Sequence, residues 1–142
     1  MGPLLTDAAR AWFILRWYGV DVSMLDGGWP AVLGISACTP STTDHPAAAA
    51  AYAPPEGYRP KVGLATKESL KNQLDGSLQI LDARTRAEYA GDDLRANARG
   101  GHLPGAKLLE HASLLAEDGT FKPRAELDAL FANAGIAQMH PS

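Results

Sequence analysis

Cysteine is almost absent from this 142-residue chain: Cys38 stands alone. A single thiol cannot close an internal disulfide, and no Cys/His spacing matches a zinc site, so neither a disulfide framework nor a metal is expected. Clustered positive charge is missing as well. The 13 Lys and Arg residues are outnumbered by 16 Asp and Glu, leaving a net charge of -3. Nucleic-acid binding needs basic residues gathered against phosphates, so nucleic acid is not an expected partner. The most apolar stretch, Ala11 to Leu15, stops at Arg16. That is far short of the roughly 20 apolar residues that cross a bilayer. The N-terminus has no basic segment leading into an apolar core and a small-residue cleavage site. Neither a membrane nor secretion is expected, and a cytoplasmic location is the default. The 46% apolar content is that of a globular protein.

Along the chain, every residue from Asp7 to Tyr18 except Asp7, Arg10 and Arg16 is apolar, with Thr6 or Asp7 available as a cap. This predicts a largely buried helix that Gly19 stops. Val20, Val22 and Met24 then alternate with Asp21 and Ser23 at strand period, ahead of Leu25-Asp26-Gly27-Gly28. Helix, glycine, strand and glycine pair make half of a βαβ unit. Residues 36–60 carry Pro40, Pro46, Pro54, Pro55 and Pro60 among Ala, Ser and Thr, the composition of a linker. Beyond it, Thr66 is placed to cap a short helix through Leu74, and Asp75-Gly76 turns the chain into the apolar run Leu78, Ile80, Leu81. That run reads as a central strand delivering Asp82, Ala83 and Arg84 at its carboxyl end, where open α/β sheets place their ligand crevice. Asp118-Gly119 marks a turn. Leu127, Leu130, Phe131 and Ala134 recur at helical spacing between Pro123 and Gly135.

Two phrases resemble the rhodanese family of sulfurtransferases. The first, DAARAWFILRWYGVDVSMLDGGWP over residues 7–30, is similar to the closing part of a rhodanese domain, through Arg10, Trp12, Trp17 and the Asp26 to Trp29 turn. The second is similar to the opening of the next domain: the Asp82-Ala83-Arg84 strand end, the Glu88-Tyr89 pair and the Gly101 to Ala106 turn. The resemblance implies an α/β fold, a rhodanese-like parallel sheet with flanking helices that is incomplete in this chain. It divides the sequence into a first-domain remnant over 1–35, the Pro/Ala-rich linker over 36–60, and the first part of a second domain over 61–142. It also implies a two-step chemistry. A cysteine loop takes sulfane sulfur from thiosulfate or 3-mercaptopyruvate as a persulfide, and a thiol or cyanide acceptor removes it, with no external cofactor.

The catalytic cysteine loop is not found in these residues. Cys38 lies in SACTPST within the linker, without a preceding strand or a Gly/Arg cradle, and reads as an incidental thiol. Among relatives that use mercaptopyruvate, an arginine six positions before the Gly101 equivalent holds the substrate carboxylate, and Arg95 occupies that position. A planar guanidinium suits carboxylate or thiosulfate oxygens. Glu88 stands where those relatives carry a second arginine, which favours thiosulfate, with Arg84 or Arg86 expected to compensate its charge. Glu88 itself reads as a helix-start acid. Asp82 and His102 are expected to support the pocket rather than react. His45, His111 and His140 lack companion groups and read as surface residues. Trp12, Phe13, Trp17 and Trp29 read as core. The competing assignment is a noncatalytic rhodanese-like module that binds or regulates a protein. A phosphatase of the related loop type is more distant, because it too needs the missing loop.

Overall fold

The computed structural model describes residues 4–37, 39–44, 46, 51–60, 62–76 and 78–136. The chain divides into two compact units, Met1–Leu64 and Ala65–Ser142. This boundary lies past the end of the linker read from composition.

In the first unit, helix α1 (Leu4–Trp17) is followed by a short helix α2 (Gly28–Leu33). Gly19 ends α1 as the sequence predicts. Its φ of 83° lets Gly19 N–H reach the Arg16 carbonyl and Val20 N–H reach the Leu15 carbonyl, the paired bonds of a Schellman cap. Two expectations fail here. Residues 20–24 keep the alternation, with Val20, Val22 and Met24 half-buried and Asp21 and Ser23 exposed, but they form no strand. A strand exists only through a hydrogen-bonded neighbour, and among the described residues no ladder partner is found for these. Nor is α1 largely buried. Ile14 and Leu15 are exposed, and Trp12, Phe13 and Trp17 are only half-covered, because the described part of this unit has no sheet for the helix to lie on. Trp29, expected in the core, is 59% exposed.

The second unit is a small α/β arrangement. Helix α3 (Lys67–Lys71) begins with a reciprocal capping box in which Thr66 and Ser69 satisfy each other's backbone N–H groups. It stops at Asn72, short of the expected Leu74. Strand β1 (Leu81–Asp82) pairs in parallel with β2 (Lys107–Leu108), Leu81 opposite Lys107 and Asp82 opposite Leu108. The crossover between them carries helix α4 (Arg86–Ala90), capped by a second box between Thr85 and Glu88. Backbone bonds extend the pairing on both sides: Lys107 N–H to the Ile80 carbonyl at 2.9 Å, Leu109 N–H to the Asp82 carbonyl at 2.9 Å and His111 N–H to the Ala83 carbonyl at 3.1 Å. A 3-10 turn at His111–Leu114 leads to an isolated bridge between Leu115 and Phe121 around the Asp118-Gly119 turn. Helix α5 (Arg124–Asn133) follows Pro123 and ends in a second Schellman cap at Gly135, with the Lys107 ammonium donating to the Gly135 carbonyl.

Among the described residues the buried apolar side chains are Ala106 and Leu109, both flanking β2, and none is fully buried. No helix of the described chain is long and apolar enough to cross a membrane. Leu78 and Leu81 remain exposed beside the two-stranded sheet. Little apolar area has therefore left water, and hydrophobic burial is the main favourable term in folding. The purified chain is expected to unfold over a broad urea range with a low m-value, or to associate as its concentration rises. A sharp, reversible, concentration-independent transition would contradict this.

Candidate functional site

The carboxyl end of β1 collects the charged residues that the sequence singles out. Asp82 is the last strand residue, and its Oδ1 accepts the Arg84 backbone N–H at 3.1 Å, turning the chain out of the sheet. The same turn folds the Arg84 guanidinium back onto the carboxylate. Arg84 Nε lies 3.0 Å from Oδ1 and 3.2 Å from Oδ2, and Nη2 lies 2.6 Å from Oδ2. Nη2 also donates to the Gly101 carbonyl at 2.9 Å. Arg84 thus ties the strand end to the Gly101 to Ala106 turn across 17 residues of sequence. The Asp82 side chain is only 12% exposed while that of Arg84 is 42% exposed, so the carboxylate is covered and the guanidinium keeps an outer edge in water. The Arg84 hydrogen bond holds the Asp82 carboxyl below its usual 3.8, against the opposing pull of partial burial.

The far side of the turn is held by Tyr89 on α4. Its hydroxyl donates to the Ala106 carbonyl at 2.7 Å. His102 stacks on the Tyr89 ring, with centroids 3.7 Å apart and planes within 5°. His102 Nδ1 donates to the Tyr89 carbonyl at 2.9 Å, which places the proton on Nδ1 and leaves Nε2 as the open nitrogen. Backbone contact completes the seat. Gly91 ends α4 with φ 92°, and a Cβ on Gly100 would come within 2.7 Å of Gly91 Cα. Only glycine permits that approach.

A second cluster lies beside the first. The Glu88 carboxylate accepts the Thr85 backbone N–H at 3.1 Å and its hydroxyl at 2.8 Å through Oε2, while Oε1 meets Arg95 Nε at 3.3 Å. The Thr85 bonds, then Arg95, hold Glu88 below its usual carboxylate value. Arg95 also meets Asp93 at 3.2 Å and sits in the left-handed region with φ 48°, a conformation steadied by its N–H bond to Asp93 Oδ1. The compensation expected at Glu88 is therefore supplied differently. Arg95 provides it, because Arg84 is engaged by Asp82 and Arg86 reaches towards Glu110 at 3.9 Å with 80% of its side chain exposed. His111, read from the sequence as a lone surface residue, donates from Nδ1 to the Ala83 carbonyl at 2.9 Å and so belongs to the same strand end.

The sequence singles out Asp82, Arg84, Arg86, Arg95 and His102 but gives no role to Tyr89 or to the Gly91–Gly100 contact. The Glu88-Tyr89 pair was the available signal. Cys38, His45 and His140 lie outside the described residues. A cleft of about 540 Å³ opens at the opposite, amino ends of the strands, lined by Gln73, Leu78, Ile80, Pro104 and Lys107 among others. The topology of open α/β sheets puts ligands at the carboxyl ends, so concavity and chemistry do not coincide. No group of three or more metal-ligating side chains is found among the described residues.

Two outcomes follow from this geometry. A carboxylate with a depressed folded pKa stabilises the fold above its unfolded value and loses that contribution as pH falls through the folded pKa. Asp82 should therefore titrate below 3.8 by carboxyl-carbon NMR, and Arg84→Ala should raise its midpoint towards that value. An unchanged midpoint would mean that the pair does not form. Gly100→Ala should push the turn off α4, so that the His102 ring protons lose the upfield shift imposed by Tyr89. Unaltered His102 shifts would refute the close approach.

No family model matches the chain. Among characterised proteins it is similar to the 3-mercaptopyruvate sulfurtransferase of Escherichia coli (strain K12), 32% identical over 148 residues, covering 96% of this chain and 48% of that protein. The thiosulfate sulfurtransferase of Gallus gallus is 28% identical over 130 residues, covering 87% and 42% respectively. Among solved structures, the Tum1 protein from Saccharomyces cerevisiae is similar at a TM-score of 0.38 and 22% identity, over 48% of this chain and 25% of that one. The chain spans about half the length of the curated relatives it matches. With a similarity that runs through nearly its whole length, the chain belongs to the rhodanese-like family of thiosulfate and 3-mercaptopyruvate sulfurtransferases.

Proposed function

We propose that this chain is part of a sulfurtransferase that moves sulfane sulfur from thiosulfate, or alternatively 3-mercaptopyruvate, to a thiol or cyanide acceptor through a cysteine persulfide. The observation that carries the proposal is the 32% identity with a 3-mercaptopyruvate sulfurtransferase across 96% of the chain. The reacting cysteine lies outside these residues in this reading. Residues 1–35 close a first rhodanese domain and residues 61–142 open a second. The chain contributes the wall of the pocket. Arg95, Arg86 and the outer edge of Arg84 would face the anionic donor, while Asp82 and His102 hold the backbone around it.

The ion pairs favour thiosulfate. Arg95 is already matched to the Glu88 and Asp93 carboxylates. A donor carboxylate would have to displace one of them, exchanging like for like with little gain. Arg86, largely exposed, is better placed to meet a sulfonate-like oxygen without that competition. A second reading, a noncatalytic module that binds a protein partner, is favoured by one observation: the sequence has no cysteine other than Cys38.

The two readings separate in a thiocyanate assay with thiosulfate and cyanide. A polypeptide expressed with any sequence encoded after Ser142 is expected to turn over, and Arg86→Ala to lower its kcat/KM by about tenfold to a hundredfold, the loss of one charge-assisted contact. The 142-residue chain alone is expected to show none. Turnover by that chain, abolished in Cys38→Ser, would overturn the proposal, and an inert longer polypeptide would favour the binding module.

A further inference from the structure

The Pro/Ala-rich stretch has the composition of a free linker, yet part of it is fastened. Helix α1 leaves carbonyls at its C-terminal end without intrahelical partners, as every helix does. Two tyrosines from the far end of the stretch supply donors to that region. Tyr52 Oη donates to the Tyr18 carbonyl at 2.8 Å, across 34 residues of sequence, and Tyr58 Oη donates to the Arg16 carbonyl, across 42. The second contact is also a packing contact. A Cβ on Gly19 would lie 3.1 Å from Tyr58 Cδ1 and Cε1, so the ring rests on the backbone of the helix cap. Gly19 therefore serves twice, once for its left-handed φ and once for its missing side chain. The chain is bent to present Tyr58 by a turn in which Tyr58 N–H bonds the Pro55 carbonyl at 3.0 Å, with Gly57 at φ 73° in the position that favours glycine.

We infer that residues 51–58 are a strap docked on the C-terminal end of α1, and that the joint between the two halves of the chain is confined to residues 59–66. Lys67 opens α3, the first helix of the second unit, so nothing beyond it belongs to the joint. A joint beginning after α2 at Gly34 would reach about 110 Å when fully extended, whereas one beginning after Tyr58 reaches about 30 Å. The two hydroxyls are thus a latch that sets joint length, and joint length sets how concentrated one half is about the other.

Chymotrypsin cleaves after Phe as well as Tyr, so Tyr→Phe substitutions remove the hydroxyls and keep the cleavage sites. In the full 142-residue chain, Tyr52→Phe combined with Tyr58→Phe is expected to accelerate cleavage after residues 52 and 58 by about tenfold. Equal chymotryptic rates in variant and native chain would overturn the inference. If the double variant loses far-UV helicity, Tyr52→Phe alone provides the test, because that side chain is largely exposed and its loss leaves the Tyr58 packing in place. It should then be cut after residue 52 about threefold faster with helicity intact. An unchanged rate would again overturn the strap.

Discussion

Arg84 is gripped from two sides, by the Asp82 carboxylate at the end of β1 and by the Gly101 carbonyl at the start of the turn before β2. A parallel pair cannot be joined by a tight hairpin, so its strands depend on the crossover to fix their approach. In this chain the ordered ladder is only two residues long on each strand. The Arg84 bridge closes the crossover at its base, and Tyr89 closes it again through Ala106 and His102. With so few buried apolar side chains, directional bonds and close backbone contact position the strand end more than hydrophobic packing does.

The charge arrangement follows from that architecture. Every arginine near the strand end is paired with an acid: Arg84 with Asp82, Arg95 with Glu88 and Asp93, and more loosely Arg86 with Glu110. These pairs differ in exposure, and exposure governs what an ion pair does. The Asp82–Arg84 pair, with several close bonds on a covered carboxylate, fixes geometry, whereas the exposed Arg86 guanidinium contributes little to stability and retains freedom to meet a solute.

Much of the local structure was legible before any coordinates. Thr66 caps a helix because a hydroxyl followed three residues later by a polar side chain satisfies both orphan N–H groups, and Glu88 read as a helix-start acid marks the start of α4, where the structure adds Thr85 as the cap. Gly19 and Gly135 end helices because only glycine enters the left-handed region at no steric cost. The strand at 20–24 was misread for a reason that periodicity cannot detect. Alternation records which faces could be buried, but a strand also needs a neighbour. Composition has a second blind spot in the Pro/Ala-rich stretch, since proline and alanine content is silent about two tyrosine hydroxyls that find carbonyls more than 30 residues away.

The candidate site divides in the same way. The Asp82-Ala83-Arg84 strand end, the Glu88-Tyr89 pair and the Gly101 to Ala106 turn mark the family in sequence, because each is a short segment whose residue types are dictated by local geometry. Which arginine would neutralise Glu88 could not be read from spacing, and the nearer Arg84 and Arg86 were the natural choices. The structure selects Arg95 instead, through a loop that reverses in the left-handed region. The sequence by itself therefore determined the caps, the turns and the family, all set by residues within a few positions of one another. Only the tertiary structure decided the charge pairing, the seat of His102 and the docking of Tyr52 and Tyr58, because each joins groups that chain folding, and not chain order, makes neighbours.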